Sequence, residues 1–431
     1  MEASIKALVL QTLSQLRSGA LKGIQQLTLS ENLTTFPLEI LSLADSLEVL
    51  DLSSNQLNDL PEALTQLPKL RILFASNNRF TQLPELLGRC DQLEMVGFKS
   101  NQIEHVSESA LPPKLRWFIL TDNQIQKLPD ALGERPRLQK LALAGNRLTA
   151  LPQTMAQLSN LELIRISANQ LSECPEQLLD LPKLAWIAFA GNPFSQSLDK
   201  IPSIPEVSSS SFTLQDVLGQ GASGVISSAI WNAPQTDFPE KVAIKVFKGA
   251  VTSDGYPRDE LAACLKTGNH PNLVQSLAQV NEKGCLALIM SLIPAYYRNL
   301  GLPPSLNSCT RDTFSEGFTL SIEAIDKMVS QMKAVFAHLH ASKVCHGDLY
   351  AHNTLYDPLD DLLDKNKTSL LFGDFGAASM YHMLTAQQQI KIQTIEQRAL
   401  NHFINDLLSL CAVEDKKTKQ YQGLLADVAQ P

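Results

Sequence analysis

Asp348, Asn353 and Asp374 are the side chains in this sequence best placed to do chemistry together. Asp348 and Asn353 stand in His346-Gly347-Asp348-Leu349-Tyr350-Ala351-His352-Asn353, and Asp374 opens Asp374-Phe375-Gly376. Moving a phosphoryl group asks for little covalent chemistry from a protein. It needs a carboxylate that orients a hydroxyl and takes its proton, and oxygen ligands that hold magnesium against nucleotide phosphates. Asp348 can supply the first, and Asn353 with Asp374 the second. The spacing D-L-x-x-x-N followed by D-F-G suits that division of labour.

Phosphates must also be held. Gly219-Gln220-Gly221-Ala222-Ser223-Gly224-Val225 follows a strand-like stretch, Phe212 to Val217, and precedes Val242-Ala243-Ile244-Lys245. Glycines let backbone amides approach phosphates closely. Alone, G-x-G-x-x-G is a weak signal that also serves dinucleotide folds, but no strand–helix unit with a ribose-binding acid accompanies it here. A lysine at position 245 reaches the nucleotide α- and β-phosphates and needs a carboxylate partner from the next helix. Glu260 is the candidate, with Asp259 as the competing register.

In combination and order these motifs resemble those of the protein kinases. More narrowly, the chain is similar to the bacterial type in which leucine-rich repeats precede a compact Ser/Thr-kinase-like domain. The resemblance implies a bilobal α+β domain using ATP and Mg2+, with a β-rich lobe to about residue 293. It implies nucleotide contacts at Gly219, Gly221, Gly224, Val225 and Lys245. Met290 then resembles the gatekeeper, and Ser291 to Ile293 the hinge that holds adenine. Asp348, Lys245 and Glu260 become the catalytic set, and Asn353 and Asp374 the metal ligands, while His346 packs beneath the loop.

Three features depart from that pattern. Gly347 replaces the arginine of H-R-D, and Tyr350 stands where Ser/Thr kinases carry a lysine. His352 is a candidate to replace that positive charge. The stretch from Asp374 to an expected helix over 395–410 is short and lacks A-P-E, giving a shortened C-terminal lobe; Glu396 and Asp406 lie where the family often has acids. H-G-D-L also occurs in small-molecule phosphotransferases of the aminoglycoside and choline kinase type. Three functions follow: a protein kinase, a nucleotide-binding scaffold with weak transfer, and a small-molecule phosphotransferase.

The first half of the chain is periodic. Asn32, Asn55, Asn78, Asn101, Asn123, Asn146, Asn169 and Asn192 recur at 22- or 23-residue spacing in the frame L-x-x-L-x-L-x-x-N. This is the leucine-rich repeat pattern, an α/β solenoid whose units bury their leucines only by stacking. The asparagine amides are expected to form a ladder on backbone groups, with a helix over 3–19 capping one end. Strand positions flanking the buried leucines form the concave face. Ile72, Phe74, Met95, Trp117, Ile119, Leu163 and Trp186 make it apolar there, which points to a protein partner or to the second half of the same chain.

The expected division is a cap over 1–23, repeats over 24–195, a Ser/Pro-rich linker over 196–211 and the kinase-like domain over 212–431. A net charge of −8 argues against nucleic-acid and anionic-membrane binding. No stretch approaches the roughly 18–20 apolar residues of a membrane span. Seven dispersed cysteines without a C-x-x-C pair, in a chain whose start reads as helical rather than secretory, suggest reduced thiols and a cytoplasmic protein.

Overall fold

The computed structural model describes residues 11–428, apart from 197–203, 222, 234–236, 250, 253 and 359–369. The chain divides into two compact units: Met1–Arg165 with Asn169–Lys183, and Ile166–Ala168 with Leu184–Pro431.

The first unit starts with a short helix, α1 (Leu13–Arg17), closed by a reciprocal Thr12–Gln15 capping box. Seven three-residue strands follow: β1 (Gln26–Thr28), β2 (Val49–Asp51), β3 (Ile72–Phe74), β4 (Met95–Gly97), β5 (Trp117–Ile119), β6 (Lys140–Ala142) and β7 (Leu163–Arg165). They pair in parallel and in register, so Leu27, Leu50, Leu73, Val96, Phe118, Leu141 and Ile164 form one buried row. Most return segments are 3-10 turns that begin just after a proline (Pro37, Pro61, Pro84, Pro129, Pro152), whose fixed φ suits the entry. The seventh is the helical turn α2 (Glu176–Leu179), after Pro175.

The asparagine ladder forms by bridging consecutive repeats. Asn55 donates to the carbonyls of Leu29 (2.7 Å) and Leu52 (2.9 Å), and its Oδ1 accepts from the amides of Glu31 and Leu33. Asn123 does the same with Phe98, Leu120 and Ile103. Asn32 departs from the expectation: it is exposed, at φ +55°, because among the described residues no preceding repeat offers it a carbonyl. The apolar concave stripe is also less open than expected. Ile72, Met95 and Leu163 are buried, and half-buried Trp117 takes the Phe74 ring edge-on at 6.4 Å and Lys140 Nζ over its face at 4.4 Å.

In the second unit, β8 (Trp186–Ala188) carries the strand of the last repeat, bonded to residues 166–168 through Ile166 N–H to Ala188 O and Ala168 N–H to Ala190 O. A five-stranded antiparallel sheet follows, in the order β12-β13-β11-β10-β9. Its strands are β9 (Phe212–Gln220), β10 (Gly224–Trp231), β11 (Lys241–Phe247), β12 (Ser276–Glu282) and β13 (Cys285–Ser291). Ala229, Val242, Ile244, Ala278, Val280, Ala287 and Ile289 make its core. Helix α3 (Pro257–Thr267) starts on a proline at its first position. The second half of the expected linker is bonded to the edge strand β12: Val207 N–H reaches Gln279 O and Gln279 N–H reaches Pro205 O. An edge strand has unpaired groups to offer.

The remainder is mainly helical, built from α4 (Ile322–Ala341), α5 (Ala386–Ser409) and α6 (Lys419–Val428). Short strands brace the loops: β14 (Arg298–Asn299), β16 (Thr354–Tyr356) and β17 (Leu370–Phe372) form one sheet, and β15 (Val344–Cys345) pairs with β18 (Ser379–Met380). Helix α5 begins nine residues earlier than the expected 395, because Thr385 and Gln388 form a capping box ahead of its apolar stripe.

Candidate functional site

Lys245 lies in the middle of β11, paired across the sheet with Ile226 and Leu288, and is buried. Its ammonium contacts the buried Glu260 carboxylate of α3 and lies 3.3 Å from Asp374 Oδ1. Burial alone would depress the lysine, but the Asp374 and Glu260 carboxylates hold its pKa above the ordinary value. Burial pushes Glu260 up to about 7 against the pull of Lys245. At Asp374 desolvation works upward too, and Lys245 more than offsets it, leaving this half-exposed carboxyl below the usual range. Asp259 does not compete for Lys245. Its Oδ2 is buried over Gly191 without a hydrogen-bond partner, and desolvation raises it to about 6.

Asp374 sits in the left-handed region (φ +57°), a conformation more accessible to Asp than to most side chains. Next to it Phe375 is buried against His346, with ring centroids 5.0 Å apart. His346 has the packing role expected of it: it is fully buried, meets the Phe372 ring at a 31° tilt with centroids 4.1 Å apart, and meets Gly373 O through Nε2 at 3.1 Å. The loop that follows is held from below by Glu396. One carboxylate oxygen of this buried side chain accepts from His346 N–H (2.6 Å) and Gly347 N–H (3.3 Å), and the other meets His340 Nε2 at 2.9 Å.

Asn353 Nδ2 donates to Asp348 Oδ2 at 2.6 Å and to its backbone carbonyl at 3.2 Å. The amide therefore orients the carboxylate and keeps its own Oδ1 for another partner. Asp312, which no motif announced, accepts from Ala351 N–H and meets His352 Nδ1 at 2.6 Å. His352 is thus committed to Asp312 rather than standing in for a lysine. Tyr350 is buried, with its ring stacked on Trp186 at 4.8 Å and 9°. Trp186 also donates its indole N–H to Leu349 O at 3.0 Å and is 1% exposed. It therefore leaves the set of open concave-face residues and joins the Asp348 loop of its own chain.

The β9–β10 turn carries Gly219, Gly221, Gly224 and Val225 together. Gly221 N–H bonds Gly224 O at 3.0 Å, and a Cβ on Gly224 would lie 2.4 Å from Val246 O, so the turn closes on β11 only with glycine there. Met290, near the end of β13, pairs with Ala243. Ser291 and Ile293 line a cavity of about 430 Å3 with His270, Pro271, Val274 and Leu371, whereas Met290 does not.

Residues 212–401 match the family model of protein tyrosine and serine/threonine kinases, and residues 45–106 and 136–194 match two leucine-rich repeat models. The chain is a set of leucine-rich repeats followed by a protein kinase domain. Among curated proteins it is 25% identical over 174 residues to a probable serine/threonine-protein kinase of Dictyostelium discoideum, covering 40% of this chain and 9% of that protein. It is also 25% identical over 178 residues to the protein kinase gsk3 of Schizosaccharomyces pombe, covering 41% of each. The chain thus spans less than half the length of either relative. Among solved structures it is similar to a leucine-rich repeat protein of Leptospira interrogans, at 28% identity and TM-score 0.33 over 39% of this chain and 49% of that one. An internalin of Listeria monocytogenes matches at 25% identity and TM-score 0.35 over 38% and 48%. Among the described residues no helix is long and apolar enough to cross a membrane, and no disulfide joins the cysteines.

Proposed function

We propose that the kinase domain is an active ATP- and Mg2+-dependent enzyme of the serine/threonine type, and that the repeats recruit a protein through the part of the concave face that stays accessible, at Phe74, Trp117 and Ile119. The observation that carries this reading is the buried ammonium of Lys245 set between Glu260 and a half-exposed Asp374. An unpaired buried charge is costly, and gathering two carboxylates on one ammonium, one of them half-exposed, is hard to explain as packing alone.

In this reading Lys245 engages the α- and β-phosphates, steadied by Glu260, beneath the glycine turn over 219–225. Asn353 Oδ1 and the ionised Asp374 are both oxygen donors. Two such ligands suffice for magnesium, which draws most of its remaining ligands from phosphate and water. When bound, the metal neutralises charge developing on the phosphate oxygens. Asp348, oriented by Asn353, accepts the proton of the acceptor hydroxyl; such general-base help contributes about 10²–10⁴-fold. Met290 and the Ser291–Ile293 segment border the adenine, and the domain divisions drawn from the sequence stand as part of the same proposal, as does a cytoplasmic location.

Thermal shift with Mg–ATP tests the binding half. Wild-type protein is expected to be stabilised by nucleotide, and Lys245→Met protein to lose most of that shift. An undiminished shift in the variant would remove Lys245 from the phosphate site. Tyr350 supports a second reading, a scaffold that binds nucleotide and transfers poorly, because no cation stands at that position. Nucleotide stabilisation without measurable ADP release would favour it.

A further inference from the structure

We propose that β8, the strand of the last repeat, is part of the transfer site itself, and that Trp186 is a positioning residue for Asp348. The inference rests on the kinase reading above and extends it. Residues on both sides of Asp348 are built against β8. Cys345 Sγ lies 3.8 Å from Ile187 O, and a Cβ on Gly347, which has φ +70°, would lie 2.4 Å from that same carbonyl. On the other side, Leu349 O accepts the Trp186 indole N–H at 3.0 Å, and the Tyr350 ring stacks on the indole.

Trp186 is also stacked on His402 of α5 at 5.2 Å and 13°. Burial and the neighbouring Arg311 lower His402 to about 4, so its ring is neutral near pH 7. The indole is therefore in contact with both the Asp348 loop and α5. Further anchors hold β8 in place. Ser379 Oγ accepts from Phe189 N–H (2.9 Å) and Ala190 N–H (3.0 Å), and Arg398 Nη1 donates to Leu184 O at 3.0 Å.

Packing against one strand explains both departures in the loop sequence. A residue larger than glycine at 347 would collide with the Ile187 carbonyl, and Tyr350 supplies the ring that Trp186 stacks on. The Asp348 backbone is fixed between these two points, and displacing a reacting group by about 1 Å can cost 10²-fold in rate.

The test uses the full chain. Trp186→Phe keeps a ring in the stack but removes the hydrogen bond to Leu349 O. A lost hydrogen bond of ordinary strength corresponds to about a tenfold effect. The expected result is a roughly tenfold fall in kcat for ADP release from Mg–ATP, with KM for ATP within about twofold. Hydrogen exchange should quicken at amides 346–353 and stay unchanged in β9–β13. Ser379→Ala should show the same split more weakly, and Trp186→Ala a larger one if it folds. Unchanged loop exchange in Trp186→Phe protein overturns the proposal, as does faster exchange throughout both lobes, which marks mere destabilisation. Wild-type protein without turnover, in which loop exchange still responds locally, would refute the kinase reading while leaving the coupling between β8 and the loop in place.

Discussion

Replacing Glu396 by alanine should damage the site without touching any residue that meets substrate. The Glu396 carboxylate is 1% exposed and accepts from the amides of His346 and Gly347 while meeting His340 Nε2. Removing it leaves two buried N–H groups without an acceptor, at about 1–3 kcal/mol each, so a loss of about 2–6 kcal/mol is expected. Glutamine keeps one oxygen for the two amides and can turn its NH2 toward His340, so Glu396→Gln should cost about 1 kcal/mol. The natural assay is urea unfolding followed by fluorescence, with ADP release on the same samples. Glu396→Ala should lose both stability and turnover, and Glu396→Gln should retain most of both. Equal losses in the two variants, or less than about 1 kcal/mol for alanine, would refute the idea that the carboxylate holds the loop by accepting its amides.

Asp259 offers a pH signature. Its folded pKa is about 6, against roughly 3.9 unfolded, so the native state binds the extra proton and stability falls as pH rises from about 4 to 6. Asp259→Asn should therefore stabilise the protein by up to about 3 kcal/mol at pH 7 and by little at pH 4; thermal melts across that range check the sign, and a benefit larger at pH 4 contradicts it. In the ladder, Asn123→Ala strands the buried amide of Ile103 and takes one of two asparagine donors from the carbonyls of Phe98 and Leu120, which keep Asn101 and Asn146, at a cost of about 1–3 kcal/mol. Asn32→Ala, at an exposed position where only the left-handed backbone (φ +55°) opposes alanine, should cost about 1 kcal/mol at most in the same denaturation series.

What the sequence made legible is what is local or periodic. The repeat frame, the glycine turn, V-A-I-K and D-F-G each concern a few adjacent residues, and the repeat recurs often enough to be read without a partner. The choice between Glu260 and Asp259 was not legible, since adjacent helical residues differ by about 100° in direction and only the docked helix decides which faces Lys245. Asn32 shares its neighbours' sequence context and lacks only the preceding repeat. The early start of α5 was readable from Thr385-x-x-Gln388, but its first turn is polar and hides the apolar stripe. Asp312 had no signal, and Trp186 had only a partial one: the apolar stripe pointed to a protein partner or to the second half of the chain without deciding between them. The Trp186–Leu349 bond spans 163 residues, and nothing in local composition distinguishes a tryptophan on an open concave face from one clamped beneath a loop.

The direct test of phosphoryl transfer is radiolabel incorporation from the γ-position of ATP by full-length wild-type and Asp348→Asn protein, with nucleotide affinity measured on both. If Asp348 is the base, wild-type protein transfers label and the variant transfers about 10²-fold less or below, with nucleotide affinity unchanged. Equal incorporation by the two proteins would contradict it.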